Sequence, residues 1–435
     1  MRFYFSLLVG KLFVFLSSRL GLGNGSTWPG HVSLKIDGDM IEKIFARNPA
    51  TKVIIVAGTN GKTTTTSLLD HLLGKLGYRV FSNREGANLV NGVSSTLVKN
   101  SDMSGNLKAD FAVLEVDEFS FPSLIKKVKP DVVIILNLFR DQLDRYGEVN
   151  TIGSRWFFAL KNLPKESFLI INGDDPYLFF NGSEFKQKKV FFGVNKKLME
   201  LKDIPHDVDF IYCPSCQALL DYESLSYAHL GNYYCVHCGF HRTGIRDFYE
   251  EKIYYPLEGL YSVYNTNAVL SFARFYLKID LKRASHIFRS FKPAFGRQEE
   301  IVFRSRKIFL LLSKNPAGFN QSLRTVNQIL ENRQANFLFV LNDRIPDGQD
   351  VSWIWDVDFA IVKNNIKSVY LAGDRVYDLA VRFKYENKKV LTYENLKLAV
   401  NDVINKTEKE DRLFIIPTYS AMLEVRKILL GKKFL

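Results

Sequence analysis

One stretch limits the folds open to this chain more than any other, Lys52-Val-Ile-Ile-Val-Ala-Gly-Thr-Asn-Gly-Lys-Thr-Thr64. Lys52 to Ala57 is a short apolar run rich in β-branched side chains and predicts a buried strand. Gly58, Thr59, Asn60 and Gly61 predict a tight turn. Beyond Lys62, residues Leu68, Leu69, Leu72, Leu73 and Leu76 recur at helical spacing, so a helix follows. A strand, a glycine-rich turn and a helix N-terminus make an anion site, because free backbone N–H groups and the positive end of the helix dipole meet there. Lys62 is placed to reach terminal phosphates, and the Thr63 hydroxyl to hold Mg²⁺. The long P-loop pattern asks for glycine where Val56 stands, so this is a shortened variant. An ordinary glycine turn is the competing reading. The Gly-Lys-Thr sequence in its strand–turn–helix setting favours phosphate.

A chain of 435 residues exceeds one core and implies roughly two to four domains. Its 46% hydrophobic and 24% charged residues are globular in proportion. The net charge of +13 fits an anionic partner, whether nucleotide, nucleic acid or acidic membrane surface, without choosing among them. Met1 to Leu20 looks like a signal peptide at first, but Lys11 interrupts the apolar run and no cleavage site is evident. It is also too short and charged to span a bilayer. An amphipathic helix is expected, packed on its own domain or lying on a membrane surface.

Residues 21–50 read as a connector with one short helix from Gly38 to Ala46. Further strands are expected at Arg79–Phe81, Asp110–Val116, Val132–Leu136 and Phe168–Ile171. They end in polar groups: Asn83, then Glu115 with Asp117 and Glu118, then Asn137, then Asn172-Gly-Asp-Asp175. Strand C-termini of an open parallel sheet converge on the ligand crevice, so these four ends read as one site beside the P-loop. Glu115 is the natural carboxylate for Mg²⁺.

All four cysteines fall in one window, which argues against a secreted disulfide scaffold. Cys213-Pro-Ser-Cys216 and Cys235-Val-His-Cys238 are two knuckles separated by eighteen residues. They supply four thiolates for a structural, tetrahedral Zn²⁺, and the tyrosine-rich segment between them suits a β-ribbon. His237 and His241 are expected to be bystanders.

A helix is expected from Gly259 to about Tyr276. It carries Asn265, which either caps the helix or meets a nucleotide base. Arg297 follows Gly296 and could clamp a phosphate between domains. Strands at Ile308–Leu312, Asn336–Leu341, Ser368–Leu371, Lys389–Thr392 and Leu413–Ile416 predict a second, Rossmann-like α/β domain. Lys314-Asn-Pro-Ala-Gly318 reads as an anion-binding turn or a plain one. Asp347-Gly-Gln-Asp350 with Trp353 and Trp355 reads as a surface turn or a recognition surface. The expected domains are 1–50, an N-terminal helix and connector; 51–298, an ATP-binding domain with a ribbon inserted at about 205–245; and 299–435, the second α/β domain.

These motifs resemble the Mur ligases, which join amino acids to cell-wall precursors. Gly58 to Thr64, Glu115, Asn137 with Asp141-Gln-Leu-Asp144, and Asn172 to Asp175 match that family's central domain in order. The closer similarity is to the MurT-type subunits of lipid II isoglutaminyl synthases. It rests on Glu85-Gly-Ala-Asn88, the four cysteines, Lys314 to Gly318, Asp347-Gly-Gln-Asp350-Val-Ser-Trp353 and Ile416-Pro417.

The resemblance implies a Mur-type P-loop domain carrying a four-cysteine zinc ribbon, with ATP, Mg²⁺ and Zn²⁺ as cofactors. It implies Gly58, Thr59, Asn60, Gly61, Lys62, Thr63, Thr64, Asn265 and Arg297 as nucleotide ligands, with Lys62 and Glu115 catalytic. It also implies a heterodimer with a GatD-like glutamine amidotransferase, whose Cys–His pair Asp350 completes, and lipid II as substrate at the inner membrane face. Three positions depart from the pattern. Gln142 stands where many Mur ligases have histidine, Ser262 where the family tends to carry a second asparagine, and Thr418 where relatives often have asparagine. A stand-alone ligase would leave the Asp350 loop unexplained. A basic nucleic-acid binder would leave the P-loop unexplained and lacks aromatic-basic interleaving around the ribbon, so no nucleic-acid partner is expected.

Overall fold

A computed structural model describes residues 1–20, 27–83, 87–141, 149–293 and 296–431. Two parallel-rich sheets organise it. The first has six strands, β1 (Lys52–Ala57), β2 (Val80–Ser82), β3 (Phe111–Val116), β4 (Val132–Ile135), β5 (Phe168–Asn172) and β6 (Lys188–Phe192), in the order β2-β3-β1-β4-β5-β6. All pairings are parallel. Val53 to Ala57 are buried, as a strand covered on both faces must be. Alternation splits them: Ile54 and Val56 pack with Leu68, Leu69, Leu72 and Leu73 of the P-loop helix (Lys62–Lys75), while Val53, Ile55 and Ala57 face Phe121 and Trp156. The chain reverses direction across the sheet at β1, with β3 on one side and β4 on the other. That topological switch is where the crevice of an open sheet lies.

A two-stranded ribbon, β7 (Asp221–Tyr227) and β8 (Leu230–Tyr234), pairs antiparallel between the cysteine knuckles, as expected. The second sheet contains β9 (Arg297–Phe303), β10 (Arg306–Leu311), β11 (Ala335–Val340), β12 (Ile366–Ala372), β13 (Val390–Tyr393) and β14 (Arg412–Pro417), in the order β13-β12-β11-β14-β10-β9. Only β9 runs antiparallel. Its two faces bury separate cores, one around Phe337, Phe339 and Phe383, the other around Leu338, Ile415 and Val425.

Three elements were not anticipated. A helix spans Trp28–Ile36 ahead of Met40–Arg47, inside the stretch read as a connector. Pro29 starts that helix rather than breaking it, since the first turn needs no proline N–H. β6 extends the first sheet, and β9 draws Arg297 into the second. The helix from Leu260 to Ser271 continues as a π-turn through Phe272–Tyr276, so the expected end holds. The N-terminal helix spans Arg2–Leu20. Among the described residues no helix is long and apolar enough to cross a membrane. Glu85, Gly86, Gln142, Leu143 and Asp144 lie outside the described residues.

Candidate active site

The turn after β1 is held by Asn137, just past β4. Its side-chain oxygen accepts from Asn60 N–H (2.8 Å) and its amide donates to the Asn60 carbonyl (3.0 Å). The Thr59 hydroxyl donates to the Phe139 carbonyl at 3.0 Å. Gly61 sits at φ +91°, and a Cβ there would lie 2.2 Å from Asn265 Oδ1. Only glycine allows that conformation and that approach. The P-loop helix therefore starts against the Leu260–Ser271 helix.

Lys62 is buried and its ammonium is saturated. It donates to the Gly58 carbonyl (2.5 Å), the Thr59 carbonyl (3.2 Å) and Glu118 Oε1 (2.8 Å). Glu115 ends β3 with Oε2 buried and lacking a hydrogen-bond partner among the described residues. Burial pushes its carboxyl above the usual range, against the pull of Thr63, Lys62, Arg297 and Lys314. Asn83, past β2, fixes the Glu115 backbone by donating to its carbonyl (2.7 Å) and accepting from its N–H (2.8 Å). A cation between Thr63 and Glu115 would satisfy the orphaned oxygen, so these residues fit Mg²⁺.

The second sheet closes the site. Arg297 and Lys314 line one cavity with Asn60, Gly61, Thr64 and Asn265. Burial lowers the Arg297 pKa against the opposing effect of Glu115. Burial also works against the Lys314 charge, but Asp141 and Glu118 outweigh it and hold its pKa above the usual value. Lys314 donates to Asp141. Asn60 and Asn315 exchange two side-chain hydrogen bonds at 3.2 and 3.1 Å, and Asn315 caps the helix Pro316–Leu330 through Gly318 N–H. Three cations thus converge on the P-loop, each facing a carboxylate. In that same helix Asn320 donates to the Asp356 carbonyl (3.2 Å) and accepts from Asp358 N–H (2.8 Å), tying it to the loop that bears Asp350.

Not every expected residue joins. The polar end of β5 does not reach the P-loop, which corrects the reading of four converging strand ends. Asp175 caps the helix Pro176–Ser183, and fully buried Asp174 accepts from Arg242 (2.6 Å) and Tyr264 (2.7 Å). These bonds anchor the ribbon. Asp350 is exposed and apart from the P-loop cavity; it accepts from Ser352 N–H at 2.8 Å, which holds its carboxyl below the usual range. Ser262 Oγ and Asn265 Nδ2 are both buried without hydrogen-bond partners among the described residues. Thr418 has a structural task, its hydroxyl accepting from Asn342 N–H at 3.0 Å. Glu118 and Asn83 carry more of the site than their sequence positions implied.

The Cys213, Cys216, Cys235 and Cys238 sulfurs all lie within 4.8 Å of one another, with two pairs at 3.6 Å. Four thiolates around a tetrahedral Zn²⁺ stand about 3.8 Å apart, so the cluster fits a metal ion. His237 and His241 are not part of it.

Residues 56–273 match the Mur ligase middle domain and residues 312–422 the MurT ligase C-terminal domain. The lipid II isoglutaminyl synthase (glutamine-hydrolyzing) subunit MurT of Streptococcus pneumoniae is 33% identical over 98% of this chain and 97% of its own length. The subunit of the same name from Staphylococcus aureus is 30% identical over 84% of each. Among solved structures, a pseudomurein peptide ligase type C from Methanothermus fervidus superposes with a TM-score of 0.65 at 22% identity, covering 90% of this chain and 81% of that one. MurF ligase from Thermotoga maritima in complex with ADP gives 0.62 at 18% identity, covering 92% and 84%. With its P-loop, cysteine ribbon and second α/β sheet in this arrangement, the chain belongs to the MurT family of Mur-type ligases.

Proposed function

We propose that this chain is the ATP-dependent ligase subunit of a lipid II isoglutaminyl synthase. It converts the α-carboxylate of D-glutamate in the lipid II stem peptide to the amide of D-isoglutamine. The observation that carries the reading is the convergence of Lys62, Arg297 and Lys314 on a P-loop beside Glu115. Ammonia attacks a carboxylate poorly, so the carboxylate is first activated. Its oxygen attacks the γ-phosphorus of ATP, ADP leaves, and an acyl phosphate forms. Ammonia then attacks the acyl carbon, inorganic phosphate leaves, and the nitrogen loses a proton to solvent or phosphate. Such transfer needs mainly positioning and charge neutralisation.

Lys62 exchanges Glu118 for a phosphate oxygen. Arg297 and Lys314 reach the same phosphates from the second sheet, and Asn265 meets the adenine. Mg²⁺ on Thr63 and Glu115 would supply further neutralisation. An acyl phosphate hydrolyses readily, and the closed seam at Asn60 and Asn315 excludes water from it. Zn²⁺ on the four cysteines would hold the ribbon and take no chemical part. The domains work as 1–50, 51–298 and 299–435.

The partner is a GatD-like glutamine amidotransferase in a heterodimer. Asp350 orients its catalytic histidine across the interface through a charge-assisted hydrogen bond. The lipid-linked substrate places the enzyme at the inner face of the plasma membrane, cytoplasmic and peripheral. The deciding experiment is co-purification with the amidotransferase, then mass spectrometry of lipid II given glutamine and ATP. The expected product is about one mass unit lighter, as OH becomes NH₂. Unchanged lipid II with an intact complex refutes the reading.

A further inference from the structure

The N-terminal helix Arg2–Leu20 has two apolar faces, and only one is used by the fold. Phe3, Ser6, Leu7 and Gly10 are buried against the helices Trp28–Ile36 and Val90–Asn100. The contact is close: Ser6 and Ser33 exchange hydroxyl-to-carbonyl bonds at 2.9 and 3.0 Å, and a Cβ on Gly10 would lie 2.2 Å from Ser33 Oγ. Lys11 donates to the Val98 carbonyl (3.0 Å) and to that of Ser101. The helix is therefore fixed flat along the protein.

Its other face points outward. Tyr4, Phe5, Leu8, Leu12 and Leu16 each leave between 40% and 58% of their surface exposed. At 3.6 residues per turn they occupy one continuous arc of about 120°. Exposed Arg2 and Arg19 stand at the two ends, and exposed Arg47 lies over the Phe3 and Tyr4 rings at 4.8 and 5.5 Å. Phe15 falls in the same arc beneath Arg19. The helix carries no acidic residue, and the acid acting on Lys11 is Asp102.

We propose that this face is a docking surface for an anionic lipid bilayer, with the five apolar side chains entering the headgroup boundary and Arg2, Arg19 and Arg47 meeting the lipid phosphates. An apolar stripe edged by arginines without acids is the pattern of an interfacial helix. Arg2, Arg19 and Arg47 flank the apolar arc and no acid on the helix offsets them, which complements an anionic surface. The proposal shares its membrane setting with the lipid-linked substrate. Binding is nevertheless measured without substrate, so either idea can fail alone.

The test is co-sedimentation of the full-length chain with vesicles of phosphatidylglycerol and phosphatidylcholine, and with phosphatidylcholine alone. Binding is expected to the anionic vesicles. It should fall by about tenfold or more in Leu8→Glu/Leu12→Glu, with melting temperature unchanged, and in Arg2→Glu/Arg19→Glu. A Leu8→Trp variant reads the face by difference from the wild type with its four native tryptophans: the added fluorescence should shift blue on anionic vesicles and be quenched by brominated lipid. Absence of vesicle binding, or binding untouched by these substitutions, overturns the proposal. Self-association of the wild type that Leu8→Glu/Leu12→Glu abolishes, without vesicle binding, assigns the face to a second copy instead.

Discussion

Lys62 offers three N–H donors, and the Gly58 carbonyl, the Thr59 carbonyl and Glu118 take all three. An incoming phosphate has to replace one of them, and Glu118 is the side chain able to swing away. Lys62→Ala should lower amide formation by on the order of 10²-fold or more. Glutamine hydrolysis by the partner should be unaffected, as followed by glutamate release. Glu115 makes a different prediction. Its carboxyl is raised by burial, so the folded chain without metal binds a proton there more readily than the unfolded chain does. Such a group favours folding below the ordinary carboxylate value, and that contribution is lost as pH rises through the folded value. Glu115→Gln should therefore raise the melting temperature of the nucleotide-free chain at neutral pH. The gain should fade toward pH ~4, where the unfolded carboxylate also protonates. The same variant should lose Mg²⁺-dependent ATP turnover. Asp350 behaves oppositely. The Ser352 bonds hold its carboxyl below the ordinary carboxylate value. Asp350→Asn should reduce glutamine-driven synthesis on the order of 10²-fold or more, with ammonium chloride restoring it.

The cysteine ribbon is the element whose loss should reach furthest from its own surface. Around the knuckles the apolar core is only Cys213, Leu220 and Cys235, whereas Tyr227 and Leu230 of the ribbon strands pack into the core of the first sheet. The ribbon is joined to the first sheet through Arg242 on Asp174, Tyr233 on the Gly173 carbonyl, and the Tyr264 hydroxyl of the Leu260–Ser271 helix, which bridges Asp174 and Ser226 of β7. Cys213→Ser, or a strong chelator, should release the metal and open residues 213–238 to proteolysis. Metal analysis should find about one ion per wild-type chain and far less in the variant. Most strands were legible in the sequence because each is a short apolar run between polar turns. β9 was not, since Arg297-Gln-Glu-Glu300 is charged and forms an edge strand half open to water. The Trp28–Ile36 helix was hidden by Trp-Pro-Gly, which reads as a turn until Pro29 is seen in its first turn. The end of β5 was misassigned for a physical reason: an acidic strand terminus looks the same in sequence whether it meets a ligand or a buried arginine. Asn83 and Glu118 were undervalued because their importance lies in neighbours 32 and 56 positions away along the chain.

At the scale of the whole molecule, two sheets share one site, and the second also carries Asp350. The Lys314 loop and the Asp350 loop are mechanically joined, because Asn315 starts the helix whose Asn320 grips Asp356 and Asp358. Asn60 of the P-loop is bonded to Asn315 at the head of that helix. Whatever seats the P-loop therefore bears on the Asp350 loop, the one proposed to meet the amidotransferase. Nitrogen economy follows from this linkage. With the wild-type chain, glutamate released and amide formed should remain equimolar if the joined loops keep the two half-reactions in step. Asn320→Ala should leave each half-reaction running while glutamate outpaces amide, and the surplus would escape as free ammonium.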